Sequence, residues 1–297
     1  MGARVGFHVS IAGGISNSVN NAKKLGCTAF QIFTRNPRGW AVNPIPRSEV
    51  FSFKNRLAAS GIERTSVVVH MPYLPNLSGP PGELYQRSVM TLEEEMQRCE
   101  MLGISYLVIH LGSHMGRGSD TGIDQLIKAL STASAHINST SEVKVLLENN
   151  AGYKNNVGGT LEELRLILDR LNSSQRFGLC VDTCHLFASG YDLRTDESVN
   201  EVIEKIKNII GLKAVKVIHL NDSKGPLGSN LDRHEHIGLG SIGMEGIAAF
   251  IKHPNIKVLP IIMETPIDTR RGDKQNLKII LDMMNNSDKN LKSETTR

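Results

Sequence analysis

The sequence predicts a single (β/α)₈ barrel, and three observations support this prediction. Eight short runs rich in Val and Ile recur along the 297 residues, they start about 26 to 43 residues apart, and helical patterns fill the intervals. Continuous rather than alternating apolar residues are typical of parallel strands that are covered on both faces. Eight strand–helix units in fewer than 300 residues fit a barrel over residues 1–285. A doubly wound open sheet is the alternative, but it would usually place ligands at one switch point.

The elements follow from local patterns. Strands are predicted at 3–9, 29–34, 66–71, 106–111, 144–149, 177–182, 215–221 and 258–264. Apolar residues at three- and four-residue spacing predict helices at Leu161–Leu171 and Val199–Ile210, among others. Segments 71–82 and 222–243, which are rich in Pro and Gly, are interpreted as long loops after strands, where function is usually found. Residues 286–297 are polar and are predicted to form a frayed tail.

Composition and charge set few limits on function. Hydrophobic residues make up 40% of the chain and charged residues 22%, which is ordinary for a globular protein. The net charge of +4 and the pI of about 8.8 permit a polyanionic partner but do not require one. The four cysteines form no evident framework, and no stretch resembles a signal peptide or a membrane span. We therefore expect a cytoplasmic location.

Six of the apolar runs end on a residue that can bind a metal ion. Because parallel strands present their carboxyl ends on one face, such residues should converge. One more candidate follows the sixth strand, and two lie in the long loop at 222–243. The candidates are five histidines and four carboxylates: His70, His110, Glu148, Asp182, His185, His219, Asp232, His234 and Glu264.

This number of ligands predicts a cluster of metal ions. One zinc ion takes three or four protein ligands, so nine suit two or three ions. Imidazole with carboxylate suits Zn, Mn or Fe, and coordination satisfies carboxylates that would otherwise be costly to bury. Clustered ions activate water and neutralise nearby charge, which suits phosphodiester hydrolysis. The sequence lacks a G-x-S-x-G elbow and a G-x-x-x-x-G-K-[ST] loop, which argues against serine hydrolases and nucleoside triphosphatases.

Other residues near these runs have alternative interpretations. A single His at a strand end is more often a hydrogen-bonded core or loop residue than a ligand. His236 could compete with His234 as a ligand and is less favoured, while His8 is expected either to support a ligand or to make a structural hydrogen bond. Cys180 and Cys184 are interpreted as buried thiols rather than as a reactive pair.

Two long segments resemble signatures of the endonuclease IV family, the zinc-dependent apurinic/apyrimidinic endonucleases of base-excision repair. They are GLCVDTCHLFASGYD at 178–192 and HLNDSKGPLGSNLDRHEHIGLG at 219–240, and HMPYLPNLS at 70–78 resembles a third signature less closely. The likeness extends from GFHVSIAGG near the start to METP near the end. The resemblance implies a (β/α)₈ barrel that binds three zinc ions.

The resemblance also implies a role for each candidate ligand. Glu148, Asp182 and Glu264 are the carboxylates expected to be catalytic, with Glu148 bridging two ions. The implied ligand sets are His70, His110 and Glu148 for one zinc, Glu148, Asp182, His219 and Glu264 for a second, and His185, Asp232 and His234 for the third.

The implied activity is DNA repair. Metal-bound hydroxide would cut duplex DNA 5′ to an abasic site and leave a 3′-hydroxyl and a 5′-deoxyribose phosphate, and blocked 3′ ends would also be trimmed. Side chains inserted into the minor groove would flip the abasic nucleotide out. The matching positions are Arg38, Tyr73 and Leu74, and Asn36 lies in the same loop as Arg38. Several other basic loop residues, including Arg35 and Arg270, could contact phosphates.

The main rival is a sugar isomerase or epimerase on the same barrel, which would use strand-end Glu, Asp and His around one or two ions. His185, Asp232 and His234 would then have no ligand role, so the number of bound ions distinguishes the two functions. A binding module for damaged DNA, with metals that only stabilise the fold, is a further alternative. The chain is expected to act as a monomer.

Overall fold

The chain folds as a parallel barrel surrounded by helices. The computed structural model describes residues 2–138, 140–173 and 175–294, with side chains through residue 285. A short antiparallel ribbon, Asp222–Ser223 (β8) and His234–Glu235 (β9), lies between the last two barrel strands. The barrel strands are Val5–Phe7 (β1), Phe30–Ile32 (β2), Val67–His70 (β3), Tyr106–Ile109 (β4), Lys144–Glu148 (β5), Phe177–Asp182 (β6), Val215–His219 (β7) and Ile261–Met263 (β10). All eight predicted strands are present.

The strands run around the barrel in the order β1-β10-β7-β6-β5-β4-β3-β2, with parallel neighbours. Among the described residues, β1 and β2 meet at a single bridge, where His8 pairs with Gln31 and the Val9 amide donates to the Gln31 carbonyl at 2.8 Å. Gly6 allows this approach, because a side chain there would collide with the Ala29 carbonyl oxygen. This arrangement confirms the barrel and excludes the open sheet.

Helices fill the connections between the strands. They are Asn17–Leu25 (α1), Arg47–Ser60 (α2), Glu83–Leu102 (α3), Ser119–Ala135 (α4), Leu161–Leu171 (α5), Thr183–Ala188 (α6), Asp196–Ile209 (α7), Gly243–Lys252 (α8) and Asp273–Glu294 (α9). Helix α5 has the predicted bounds. Helix α7 begins before the predicted Val199, because Thr195 and Ser198 form a capping box that starts the helix in a polar stretch.

The barrel interior is filled by one layer of small and branched side chains. Seven strands contribute Ala29, Val68, Val108, Leu146, Cys180, Val217 and Ile262, and all of them are fully buried. In β1, Gly6 lies in register with Ile262. Because side chains alternate along a strand, the residue two positions further on in each strand also points into the barrel, at its carboxyl end.

The structure agrees with one of the two predicted loops and differs from the predictions for the other loop and for the C-terminal tail. Segment 71–82 is a loop, as predicted, whereas the loop predicted at 222–243 contains β8 and β9. Two-residue strands are too short to give an alternating pattern, which explains the omission. Helix α9 extends to Glu294, so the predicted tail overlaps it, and residues 295–297 lie outside the described residues. Among the described helices, none has the length and apolar character that a membrane crossing requires.

Candidate metal centre

Strand alternation brings the predicted strand-end residues together. Two positions beyond the interior layer, the eight strands present His8, Gln31, His70, His110, Glu148, Asp182, His219 and Glu264. Six of these are predicted ligands. The other three predicted ligands come from α6 and from the loop around β9, namely His185, Asp232 and His234.

The nine side chains form three groups, and within each group the potential ligand atoms lie within 4.8 Å of one another. The groups are His70, His110 and Glu148; Glu148, Asp182, His219 and Glu264; and His185, Asp232 and His234. Glu148 belongs to the first two groups. The third lies beside the second, since His234 Nε2 is 3.7 Å from Asp182 Oδ2.

Glu148 lies at the centre of the first two groups. Its Oε2 is 3.3 Å from His70 Nε2 and 3.7 Å from His110 Nδ1, while its Oε1 is 2.9 Å from His219 Nδ1. Burial alone would raise the pKa of Glu148, but the surrounding histidines, His219 first, hold it well below its usual range. The carboxylate is therefore charged, as a bridging metal ligand must be.

The third group is more open. Asp232 Oδ1 lies 3.2 Å from His185 Nε2 and 3.4 Å from His234 Nε2, and the Asp232 side chain is 57% exposed. Burial disfavours a charged His185, but Asp182 and Asp232 outweigh this and raise its pKa to about 10 in the absence of a cation. Among the three residues of this group, Asp232 is the one most accessible to solvent.

The imidazole orientations fit metal coordination. His70, His185 and His234 each direct Nδ1 at a backbone carbonyl, that of Met71 at 2.6 Å, Asn149 at 2.9 Å and Glu264 at 3.1 Å. Nδ1 must carry the proton to donate these bonds, so Nε2 of the neutral ring presents a lone pair toward a carboxylate. Buried Nε2 atoms of His185 and His234 have no hydrogen-bond partner among the described residues. A cation between lone pair and carboxylate would satisfy both.

His219 is held in the opposite orientation by Gln31, a residue that the sequence reasoning missed. The fully buried Gln31 amide oxygen accepts from His219 Nε2 at 2.9 Å, so that Nδ1 faces Glu148. The Gln31 amide nitrogen donates to Glu264 Oε1 at 2.7 Å and to His8 Nδ1 at 3.1 Å. A polar residue between apolar neighbours in the run AFQIF was the available signal.

Two asparagines that were also missed fix Asp182. The side-chain oxygen of Asn149 accepts from the Asp182 amide at 2.7 Å, and the Asn221 amide donates to Asp182 Oδ2 at 2.7 Å. The other oxygen, Oδ1, caps α6 by accepting from the His185 amide at 2.9 Å. Asp182 thereby positions His185 as well as its own carboxylate.

The structure shows the contacts of the residues whose roles the sequence left undecided. His236 is engaged by Asp268 at 3.0 Å and Asn276 at 3.0 Å, so it is not a competing ligand. His8 supports Gln31, and its Nδ1 lies 3.8 Å from Glu264 Oε1. Cys180 and Cys184 are buried free thiols, as interpreted, although Cys184 lies close enough to Asp182 and His234 to form a fourth ligand group. Burial raises the pKa of Cys184 far above its usual range, which disfavours the thiolate that metals bind.

All four predicted DNA-contacting side chains are exposed, and Tyr73 lies beside the centre. Asn36 and Arg38 are exposed, and Tyr73 and Leu74 are 54% and 42% exposed. The Tyr73 ring lies 5.9 Å from the His70 ring, and the Tyr73 amide donates to the Pro37 carbonyl at 3.1 Å, which joins the two loops.

Two basic residues are not free for phosphate contact. Arg35 is 5% exposed, and its Nε donates to Glu95 Oε1 at 2.5 Å within a buried network on α3. Glu95 also accepts from Thr34 at 2.7 Å, and Arg98 donates to the Thr34 hydroxyl at 2.6 Å. Arg270 is engaged by Glu235 and Asp268. The pairs with Glu95 and Glu235 could not be predicted from the sequence, because these partners lie 60 and 35 residues away along the chain.

Comparison with known proteins places the chain in a family. Residues 19–287 match the family model described as a xylose isomerase-like TIM barrel. A protein of Nitrosopumilus maritimus named probable endonuclease 4 is 48% identical over 275 residues, which cover 93% of this chain and 98% of the relative. A protein of the same name from Methanoculleus marisnigri is 50% identical and covers 92% of this chain and 96% of its own.

Comparison with solved structures points to the same family as the sequence relatives. Endonuclease IV from Thermus thermophilus superposes with a TM-score of 0.83 at 36% identity, covering 95% of this chain and 99% of that one. A D-tagatose 3-epimerase-like protein has a TM-score of 0.73 at 18% identity, with 97% and 99% covered, which shows a shared fold alone. The chain belongs to the endonuclease IV family and is an enzyme that hydrolyses DNA.

Proposed function

We propose that this endonuclease cuts duplex DNA 5′ to abasic sites, leaving a 3′-hydroxyl and a 5′-deoxyribose phosphate, and that it also trims blocked 3′ ends. The observation that carries the proposal is the convergence of nine ligand-type side chains into three groups, two of which share Glu148. Relatives named probable endonuclease 4, at 48% and 50% identity, support DNA as the substrate.

Three zinc ions are the proposed cofactors, one for each group of side chains. Imidazole and carboxylate oxygen suit zinc, and three or four ligands in each group match its coordination number. Buried Nε2 atoms without hydrogen-bond partners, in His185 and His234, support the third ion in particular.

Ions bound in such clusters activate water at neutral pH and neutralise phosphate charge. The protein holds the ligand side chains in position. Glu148, Asp182 and Glu264 keep three carboxylates at the barrel mouth, where the first two are nearly inaccessible to solvent. His110, Asp232 and His234 are more accessible, with side chains 35%, 57% and 19% exposed. The scissile phosphate is therefore expected to enter over these three residues.

Recognition of the abasic nucleotide is assigned to the loops at the open side. Tyr73 and Leu74 are large, exposed and apolar beside a polar site, which suits insertion between bases. Arg38 and Asn36 lie on the loop that Tyr73 contacts, so that charge and apolar side chains would enter the groove together. Unstacking costs least where the base is missing, and this favours damaged sites.

The sugar epimerase alternative uses fewer of the assembled residues. Its members share the fold with this chain at 18% identity or less among the epimerase structures compared. An isomerase has no use for the third group, in which His185 is fully enclosed and faces Asp232.

A cutting assay tests the proposal. The protein is incubated with a duplex that carries one abasic-site analogue, with and without a chelator, and the product end is identified by extension with a DNA polymerase. We expect one chelator-sensitive cut that leaves an extendable 3′ end, and no cut in the undamaged duplex. Binding of the abasic duplex without cutting would instead favour a damage-binding module, and epimerisation of a ketohexose would favour the rival enzyme.

A further inference from the structure

Asp232 and His234 lie on a segment that strand pairing alone holds weakly. Strands β8 and β9 pair over two residues each, Asp222 with Glu235 and Ser223 with His234. Isolated two-stranded ribbons are marginally stable. A metal ligand, however, must be held to within about 0.5 Å of its working position. Additional contacts must therefore hold the chain next to His234.

An arginine from the loop after β10 supplies the strongest of these contacts. Arg270 Nη1 and Nη2 donate to the two carboxylate oxygens of Glu235 at 2.9 and 2.8 Å. The Glu235 side chain is only 7% exposed, whereas that of Arg270 is 45% exposed, so water reaches the arginine but hardly reaches the carboxylate. Two-pronged Arg–carboxylate pairs fix orientation as well as distance. Glu235 directly follows the ligand His234.

Asp268 extends the contact to the next residue. Its Oδ2 accepts from Arg270 Nε at 3.0 Å and Nη2 at 2.7 Å, and its Oδ1 accepts from His236 Nε2 at 3.0 Å. Arg271 then donates to the Ile237 carbonyl at 2.6 Å. Three consecutive residues after His234 are thus bound to one loop.

The same loop begins at another candidate ligand. Glu264 directly follows β10, and its carbonyl oxygen accepts from His234 Nδ1 at 3.1 Å. Its carboxylate belongs to the second ligand group. The loop at 264–271 therefore links the second group to the third.

We propose that Arg270, Glu235 and Asp268 form a latch that holds Asp232 and His234 in place for the third cation. Arg270 is a positioning residue: it belongs to none of the ligand groups and acts through the segment that carries the ligands. The inference rests on the proposed third ion and extends the proposed function to residues that no ligand group contains.

Zinc release tests the latch without any DNA. The purified holoprotein is mixed with a chromogenic chelator, and the release of each zinc ion is followed over time, with total zinc measured by atomic spectroscopy. In Arg270→Gln, one ion is expected to leave about 10-fold faster or more, the loss typical when a contact supporting a metal ligand is removed, while the other two keep their rates. Glu235→Gln retains one acceptor and should show a smaller increase.

Arg194→Gln is the matched control. Arg194 makes a similar pair with Asp192, at 3.0 and 2.7 Å, but outside the centre, so its release profile should equal the wild type. Wild-type release from Arg270→Gln, or faster release of all three ions together, overturns the latch, as does a wild-type protein with only two ions. A wild-type protein that holds three ions but does not cut abasic DNA would overturn the proposed function and leave the latch standing.

Discussion

Glu148 connects the first two ligand groups through its two carboxylate oxygens. One oxygen faces His70 and His110, and the other faces His219. An amide of the same size could bind only one cation well, because its nitrogen is a donor. The negative charge would also offset that of the proposed cations.

Glu148→Gln is therefore expected to reduce the single-turnover cutting rate at least about 100-fold, the upper end of losses from altered metal surroundings. Asp182→Asn should have a similar effect. Abasic-DNA affinity, measured by fluorescence anisotropy, should change little because Tyr73 and Arg38 are untouched. Glu204→Gln, in an exposed pair with Lys207 on α7, is the control. Cutting by Glu148→Gln at the wild-type rate would refute the ligand assignment.

Gln31 determines which nitrogen of His219 faces the centre, and it also restrains Glu264. Gln31→Leu has similar volume but removes both contacts, so zinc retention and turnover should each fall about 10- to 100-fold. Gln31→Glu should be at least as harmful, since it places a carboxylate against Glu264. Gln86→Leu, exposed on α3, should match the wild type. Full zinc retention in both Gln31 variants would show that the contact is dispensable.

Zinc binding to the metal-free protein is expected to release protons at pH 7. The pKa of His185 is about 10 without a cation, so the ring is protonated at that pH, whereas coordination needs the neutral ring. Calorimetric zinc titrations in buffers of different ionisation enthalpy would measure the number released. His185→Gln should release fewer protons, and equal release from both proteins would contradict this assignment.

Among the elements, α3 is the support for the loop that carries Arg38. Glu95 on this helix is fully buried and binds Arg35 and Thr34, at the start of the loop. Arg87, on the same helix, lies 4.6 Å from the Trp40 ring, later in the loop. The loop is therefore held on both sides of Arg38 before DNA arrives.

Glu95→Gln would leave the buried Arg35 with only the more exposed carboxylate of Glu94 as an opposite charge. Breaking a buried pair costs about 3–5 kcal/mol, so a loss of this size is expected in the free energy of unfolding, measured with denaturant. Glu94→Gln is a close control, because Glu94 pairs with the same arginine at 2.8 Å but is 41% exposed. That exposed pair should contribute less than about 1 kcal/mol. Equal losses in both variants would show that burial is not the cause.

The sequence allowed the ligand-bearing strands to be predicted because their apolar runs are continuous and end abruptly at residues such as His70 and Glu148. Residues that act by positioning the candidate ligands were not predicted from the sequence. Gln31 carries no metal-ligand signature, and Asn149 and Asn221 become meaningful only once Asp182 lies between them. Likewise, the burial of Arg35 depends on Glu95, some 60 residues away in the chain. Local pattern does not encode such pairings.

For the whole molecule, the bound cations should add to stability. A ligand that binds only the folded state at 1,000 times its dissociation constant contributes about 4.1 kcal/mol. The melting temperature should therefore fall on chelation and recover when zinc is restored. An unchanged melting temperature would show that the centre does not hold the barrel together.

The stabilisation by cations is expected to act mainly at the single bridge between His8 and Gln31. Both residues lie beside Glu264, so a cation held by Glu264 would tie the first strand to the second across a junction with little backbone pairing. Without it, amide hydrogens at 5–9 and 29–32 should exchange with deuterium sooner than those of β5 and β6, which pair over four positions. Loss of metal in the cell would then expose this edge to proteases first. Proteolysis of the repair enzyme would begin at the junction where His8, Gln31 and Glu264 support both the proposed cation site and the closure of the barrel.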